Sequence, residues 1–240
     1  MERITSLSGD LFTGAIYNED ENEKYFVNGV IAKEGRTLIT GLSSFENFIF
    51  SCNLAISIAN ENETKFLNSF DMKHVNILYL DLLVGDYYMK EYLKQMLKDK
   101  KVKNLHFKCL PGLNLNNTNQ FKWLEQKIEE LKINILFITP LEYCLLSVKN
   151  PGYEVMQLRE ALDILIAKHK ISVVLTSGDN YGQLIQQKQF TVYFDDHISL
   201  RNNWLDNVRC VKQKKFTSVK LPKLNNDKLN SIFKEQAMYN

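Results

Sequence analysis

The sequence lacks several patterns by which common functional sites are recognised. Its four cysteines are scattered without a C-x-x-C pair, which favours buried reduced thiols over a metal or redox centre. Its four histidines form no H-x-x-x-H or E-x-x-H pair, so we expect no zinc site. No G-x-S-x-G pattern is present, which leaves a serine hydrolase of that type without support. The residue pattern therefore predicts no metal site.

A dominant charge and a long apolar run are also missing. The chain has 30 Lys and Arg against 28 Asp and Glu, a formal net charge of +2, so nucleic acid is an allowed partner but not a required one. No apolar run reaches the ~18 residues that a membrane helix needs, and residues 1–5 do not begin a secretion signal. We expect a cytoplasmic protein, or a nuclear one if its source has a nucleus, with no membrane partner.

A further absence concerns phosphate binding. A working phosphate loop, G-x-x-x-x-G-K-[ST], needs a second glycine, a lysine for the phosphate oxygens and a hydroxyl for Mg²⁺. From Gly41 onward, those three places hold Glu46, Asn47 and Phe48, and Gly-Lys-Ser/Thr occurs nowhere in the chain. The intervening Ser43 and Ser44 do not replace them. We therefore predict a degenerate nucleotide site and no bound cofactor.

What the sequence does contain is an alternation of apolar, strand-like runs with amphipathic segments of helical length. This pattern predicts an α/β fold, with a mainly parallel sheet covered by helices. The expected strands are 36–40, 75–80, 104–110, 133–138, 172–176, 198–201 and 207–212, and the expected helices are 48–59, 87–100, 119–131 and 153–169. We expect one core domain over residues 25–220, preceded by a charged N-terminal arm (1–24) and followed by a polar tail (221–240).

The order of these elements resembles the RecA-like hexameric helicases that include the plasmid replication protein RepA. Residues 26–41 look like the glycine-containing leader and first strand of that family. Residues 66–80 look like its aromatic insertion and second strand. The segment from Leu136 to Leu141 resembles its strand ending in Asp-Pro-Leu, and residues 173–178 its sensor strand. The resemblance covers about residues 25–215 and implies a three-layer RecA-like fold.

The positions that carry chemistry in that family have changed here. The catalytic carboxylate would fall near Leu82, and the carboxylate that holds Mg²⁺ through a water is Thr139. Neither residue type can replace a carboxylate in its role. Asp81 and Asp86 lie close to the lost positions, and they keep open the alternative of a divergent ATPase.

The resemblance also implies contacts with partners. In such hexamers, basic residues after the penultimate strand reach a neighbour's nucleotide, and Lys212 and Lys214 look like that element, although a solvated strand end explains them as well. Two inward loops of the family contact single-stranded nucleic acid. Their cations and aromatic rings would here be Lys149, Tyr153, Tyr181 and Lys188, although ordinary surface loops also have this composition.

These expectations combine into one functional hypothesis. The chain would be a catalytically inactive RecA-fold protein that acts by binding and assembly in DNA replication or recombination, as part of a homo- or hetero-oligomer. Two alternatives stay open. One is a scaffold subunit like the inactive RecA-fold subunits of the Elongator complex, acting on RNA. The other is the divergent ATPase.

Overall fold

The architecture is a three-layer α/β arrangement. The computed structural model of the chain describes residues 21–40, 44–68, 70–97, 102–144, 151–178, 196–201, 204–210 and 219–220. The helices are α1 (Ser44–Ala59), α2 (Asp86–Leu97), α3 (Thr118–Glu130) and α4 (Pro151–His169). The strands are β1 (Tyr25–Val27), β2 (Ile31–Ala32), β3 (Arg36–Thr40), β4 (Lys65–Phe66), β5 (Phe70–Asp71), β6 (Ile77–Asp81), β7 (Leu105–Cys109), β8 (Ile135–Thr139), β9 (Ser172–Thr176), β10 (Asp196–Arg201), β11 (Trp204–Cys210) and β12 (Val219–Lys220).

The central sheet has eight strands in the order β12-β11-β10-β3-β9-β8-β6-β7. The six strands from β10 to β7 pair in parallel, and β11 and β12 add an antiparallel edge. Strands β6, β8 and β9 are buried along their whole length, as expected for parallel strands covered on both faces. Strand β3, which comes first along the chain among the strands of this sheet, therefore lies inside it, four strands away from β7.

Each face of the sheet has its own hydrophobic core. Helices α1 and α2 supply one core, where Phe48, Cys52 and Tyr92 meet Tyr79 and Phe137 of the sheet. Helices α3 and α4 supply the other, where Leu124 and Leu165 are fully buried. Because successive strand residues point to opposite faces, Tyr79 and Leu80 contribute to different cores.

Helix α1 is buried on most of its surface. Ser51, Cys52, Leu54, Ala55 and Ile58 have no exposed surface, because the hairpins β1–β2 and β4–β5 pack over the side of the helix that faces away from the sheet. This explains why the sequence of α1 is apolar all round instead of amphipathic.

Most of the predicted elements agree with the structure. Strands 36–40 and 172–176 have the predicted bounds, and the other elements in the described ranges shift by a few residues at one or both ends. One difference matters for function: α1 begins at Ser44, four residues before its predicted start. Helix α4 likewise begins at Pro151, two residues before its predicted start, because proline is accepted at the first position of a helix.

Two further observations bear on what the chain can bind. Within the described ranges, no helix is long and apolar enough to cross a membrane. The same residues contain no group of three or more His, Cys, Asp or Glu side chains placed to hold a metal ion.

Candidate functional site

The candidate site lies at the carboxyl edge of the parallel strands, where open α/β sheets bind their ligands. Four strands bring polar side chains to this edge: Thr40 ends β3, Asp81 ends β6, Thr139 ends β8 and Thr176 ends β9. Asp81, Thr139 and Thr176 have no exposed surface. The edge is therefore polar in chemistry but closed to solvent at these positions.

The connection from β3 to α1 covers the predicted degenerate phosphate loop. Strand β3 ends at Thr40 and α1 begins at Ser44, so Glu46 and Asn47 are already helical. A phosphate loop also leads into a helix, whose first backbone N–H groups face the anion, so here it is the side chains that disfavour phosphate binding. Gly41 and Ser43 lie outside the described residues. The other predicted degenerate positions of this connection are all part of α1: Ser44, Glu46, Asn47 and Phe48.

The side chain at the position of the lysine is committed to a contact inside the protein. Asn47 is fully buried, and its Nδ2 donates a hydrogen bond to the backbone oxygen of Ser177, 2.7 Å away. This bond links the first turn of α1 to the residue after β9. A lysine that serves a phosphate must extend toward solvent and the ligand, whereas Asn47 joins two elements of the fold.

An aromatic cluster occupies the position of the magnesium-binding hydroxyl. Phe48 is 1% exposed, and its ring lies 5.2 Å from the ring of Tyr92 and 6.2 Å from that of Tyr79, measured between centroids. Tyr79 also stacks on Phe137 at 5.5 Å. Such a cluster excludes water, and the Phe48 ring has no oxygen that could bind a dication.

A buried hydroxyl network joins Thr139 to α1. The Tyr79 hydroxyl lies 3.0 Å from Thr139 Oγ1 and 2.8 Å from Ser51 Oγ, and Ser51 Oγ donates to the Phe48 backbone oxygen at 3.0 Å. Burial raises the pKa of Tyr79 well above its usual value, so its hydroxyl stays neutral. The position expected to hold Mg²⁺ through a water is instead engaged in a neutral network that connects β8, β6 and α1.

Asp81 is the strongest candidate for a catalytic carboxylate, but its oxygens are used by the loop that follows it. The backbone N–H groups of Val84 and Gly85 donate to Oδ2 at 2.8 and 3.2 Å, and that of Leu83 donates to Oδ1 at 3.4 Å. Burial raises the pKa of Asp81, and these backbone bonds partly oppose the shift. The carboxyl group therefore organises the turn into α2.

Asp86 shares a hydrogen-bonding partner with Asp81. The Cys109 thiol is hydrogen-bonded to both carboxyl groups, and burial is the largest cause of its raised pKa. Cys109, Cys52 and Cys144 are all free and buried, as the sequence predicted. Burial raises the pKa of the Cys144 thiol to about 12, so it stays protonated at neutral pH.

The far side of the site is built by the short 3₁₀ helix Leu141–Cys144. Glu142 is buried there, and its Oε1 accepts a hydrogen bond from the backbone N–H of Gly178 at 3.2 Å. This contact ties the segment after β8 to the segment after β9. It completes a row of internal bonds along the carboxyl edge.

The predicted partner-contact residues are not assembled into a site by the described part of the chain. Lys149, Tyr181, Lys188, Lys212 and Lys214 lie outside the described residues. Tyr153 is on the first turn of α4, 53% exposed, and its hydroxyl accepts a hydrogen bond from Gln157 Nε2 at 2.9 Å. Its exposed ring is compatible with base stacking and stays a prediction.

The sequence interpretation missed Tyr79, which organises the candidate site. A signal was available: a tyrosine inside the apolar run of β6 must find a partner for its hydroxyl when it is buried. Its contacts with Ser51 and Thr139 come from separate elements, and only the strand order shows that they meet.

Comparisons with known proteins identify the fold. No protein-family model and no curated protein sequence matches the chain. Among solved structures, the chain is similar to the KaiC-like protein PH0186 from the hyperthermophilic archaeon Pyrococcus horikoshii OT3, with a TM-score of 0.56 and 12% identity. The similarity covers 81% of this chain and 87% of that one. The predicted fold class is confirmed: the chain has an α/β RecA-like fold.

Proposed function

We propose that this chain is a RecA-fold protein that neither binds nor hydrolyses nucleoside triphosphates and that acts by binding and assembly. The observation that carries the proposal is the cluster of Phe48, Tyr79 and Tyr92 under the first turns of α1, joined to Thr139 by hydrogen bonds. Where the resemblance implies a lysine, a hydroxyl and a carboxylate, the chain has Asn47, Phe48 and Thr139. These residues contact Ser177, the rings of Tyr79 and Tyr92, and the Tyr79 hydroxyl, respectively. The sequence supports the same proposal, because the segment that begins at Gly41 and contains Ser43 has Glu46 where a working phosphate loop has its second glycine.

The process in which the protein takes part is inferred from the helicase-like leader. Residues 26–41 resemble the plasmid-helicase branch, which favours DNA replication or recombination over the RNA-directed, Elongator-like alternative. An oligomer with RecA-like subunits, homo- or hetero-, is the assembly that this proposal implies. Lys149, Tyr153, Tyr181 and Lys188 are its candidate contacts to single-stranded nucleic acid.

A turnover assay separates this proposal from the divergent ATPase. Phosphate release from Mg·ATP is measured for the natural chain, Asp81→Asn and Asp86→Asn, each with and without single-stranded DNA. We expect no release above that of a protein-free control in any sample. Turnover by the natural chain that either substitution abolishes would establish the enzyme instead.

A further inference from the structure

A cavity of about 360 Å³ opens at the outer end of the sheet, four strands away from β3 and the start of α1. It lies where β7 ends and the loop to α3 begins, and its lining includes Lys108, Pro111, Leu113, Asn119, Gln120 and Trp123. Strand β7 lies four strands from β3, which at ~4.8 Å per strand is about 19 Å. The cavity is thus separate from the start of α1. Its size is in the range of small-molecule sites.

Several side chains of this cavity can donate hydrogen bonds. Lys108 is exposed, and among the described residues of the lining it is the one charged side chain. Gln120 Oε1 accepts a hydrogen bond from the Asn114 backbone N–H at 2.7 Å, which fixes the side-chain amide with its NH₂ group free to donate. The indole N–H of Trp123 is a third donor. A ligand that matches this set presents acceptors, and a negative charge where it meets Lys108.

The start of α3 does not itself supply the anion site. The side chain of Asn117 already accepts the backbone N–H groups of Asn119 and Gln120 at 3.0 and 3.2 Å. An anion in the cavity would therefore be held by side chains. Apart from Asn119, the remaining walls are apolar, with Leu113 buried and the ring of Trp123 half-buried. An indole next to an apolar floor favours a flat ring.

We propose that this cavity binds a small planar aromatic anion, with its ring against Trp123 and its charged group at Lys108. Nucleoside monophosphates and aromatic carboxylates share this chemistry. Gln120 would orient the ligand through its amide. This proposal does not depend on the proposed loss of nucleotide binding at the start of α1.

The test uses a pair of probes that differ in charge. In the full chain with Trp204→Phe, Trp123 is the only tryptophan. The protein is titrated with 8-anilinonaphthalene-1-sulfonate and with N-phenyl-1-naphthylamine, which has the same rings without the sulfonate. We expect the anion to quench Trp123 and to bind about 1.4 to 5 times more tightly, the range of an exposed ion pair. Lys108→Gln should remove this difference, and Lys122→Gln, an exposed lysine of α3 outside the lining, should not.

Adenosine 5′-monophosphate and naphthalene-2-carboxylate, each at matched concentration, then distinguish the source of the ligand. Tighter binding of the nucleotide indicates a nucleotide ligand, and tighter binding of the carboxylate indicates an aromatic acid; both support the class. The proposal is overturned if the sulfonate leaves Trp123 fluorescence unchanged, or if Lys108→Gln and Lys122→Gln bind the sulfonate equally.

Discussion

At the scale of single residues, the account depends on Tyr79. Its hydroxyl connects Ser51 on α1 with Thr139 on β8, and its ring stacks on Phe137. One side chain therefore bonds to two elements at the place where the resemblance implies a bound nucleotide and metal. The hydroxyl and the ring can be tested separately.

Tyr79→Phe keeps the aromatic packing and removes the hydroxyl. Ser51 and Thr139 then lose a buried partner, so we expect the free energy of unfolding to fall by about 1–2 kcal/mol. Chemical denaturation monitored by circular dichroism measures the change. Tyr143→Phe is the control, because Tyr143 is 45% exposed and its hydroxyl can be hydrated; we expect a change below about 0.5 kcal/mol there. Equal losses in both variants would contradict the network.

The raised pKa of Asp81 predicts how the free energy of unfolding depends on pH. Its pKa in the folded protein is raised above the ordinary value of 3.8, chiefly by burial, so the native state holds the proton more tightly than the unfolded state. Its contribution to stability is complete below pH 3.8 and declines as the pH rises through the folded pKa. Asp81→Asn should remove this decline. The measurement is the difference in unfolding free energy between natural chain and variant from pH 3.5 to 7. If the unfolding free energy of Asp81→Asn does not increase relative to that of the natural chain as the pH rises, the raised pKa is wrongly assigned to Asp81.

At the scale of elements, α3 is defined by a local capping signal. Asn117 is the N-cap residue and accepts two backbone N–H groups, a use typical of asparagine at this position. The same segment forms one wall of the proposed aromatic-anion cavity. The start of α3, and with it one wall of the cavity, therefore follows from a short-range sequence feature.

Asn117→Ala should destabilise the protein by about 1 kcal/mol, because it leaves the N–H groups of Asn119 and Gln120 without their partner. Thermal or chemical unfolding provides the measurement. Lys122→Ala, on an exposed position of the same helix, is the matched control and should change stability by less than about 0.5 kcal/mol. If the two variants are equally stable, the cap does not hold α3.

Short-range patterns also explain which elements the sequence could predict. β3 and β9 are apolar runs with clear ends, so their bounds were correct. The predicted start of α1 is too late because the comparison with a phosphate loop suggested an irregular segment, although residues 43–46, Ser-Ser-Phe-Glu, have the capping-box pattern of a helix start. The Tyr79 network depends on strand order, which no local pattern encodes.

At the scale of the whole molecule, the chain has the RecA-like fold, and several polar groups at the carboxyl edge of its sheet form hydrogen bonds with other parts of the chain. Asn47 to Ser177, Tyr79 to Thr139 and Gly178 to Glu142 are three such internal contacts. The outer surfaces and sheet edges are the parts of the fold that the proposal assigns to partners. The internal contacts are the basis on which we propose assembly as its role.

The assembly proposal predicts that Lys212 and Lys214 lie at or near a subunit boundary. Light scattering on the natural chain, alone and mixed with candidate RecA-fold partners, should detect an oligomer. The double variant Lys212→Ala/Lys214→Ala should weaken it, because cations that meet a neighbour's phosphates or carboxylates are lost. Lys90→Ala/Lys122→Ala carries the same change in charge and should assemble normally. A chain that stays monomeric under all these conditions contradicts the assembly role.

The central claim is that the site at the start of α1 has no place for a nucleoside triphosphate, and calorimetric titration with Mg·ATP tests it most directly. The sequence has Glu46, of the same sign as the phosphates, at the place of the second glycine, and no lysine after it; each change disfavours binding by on the order of 1–4 kcal/mol, so we predict no binding of micromolar affinity. The titration is run on the natural chain and on Lys108→Gln, because heat that disappears in the variant arises at the outer cavity. Micromolar Mg·ATP binding that persists in Lys108→Gln and disappears in Asp81→Asn would contradict the account.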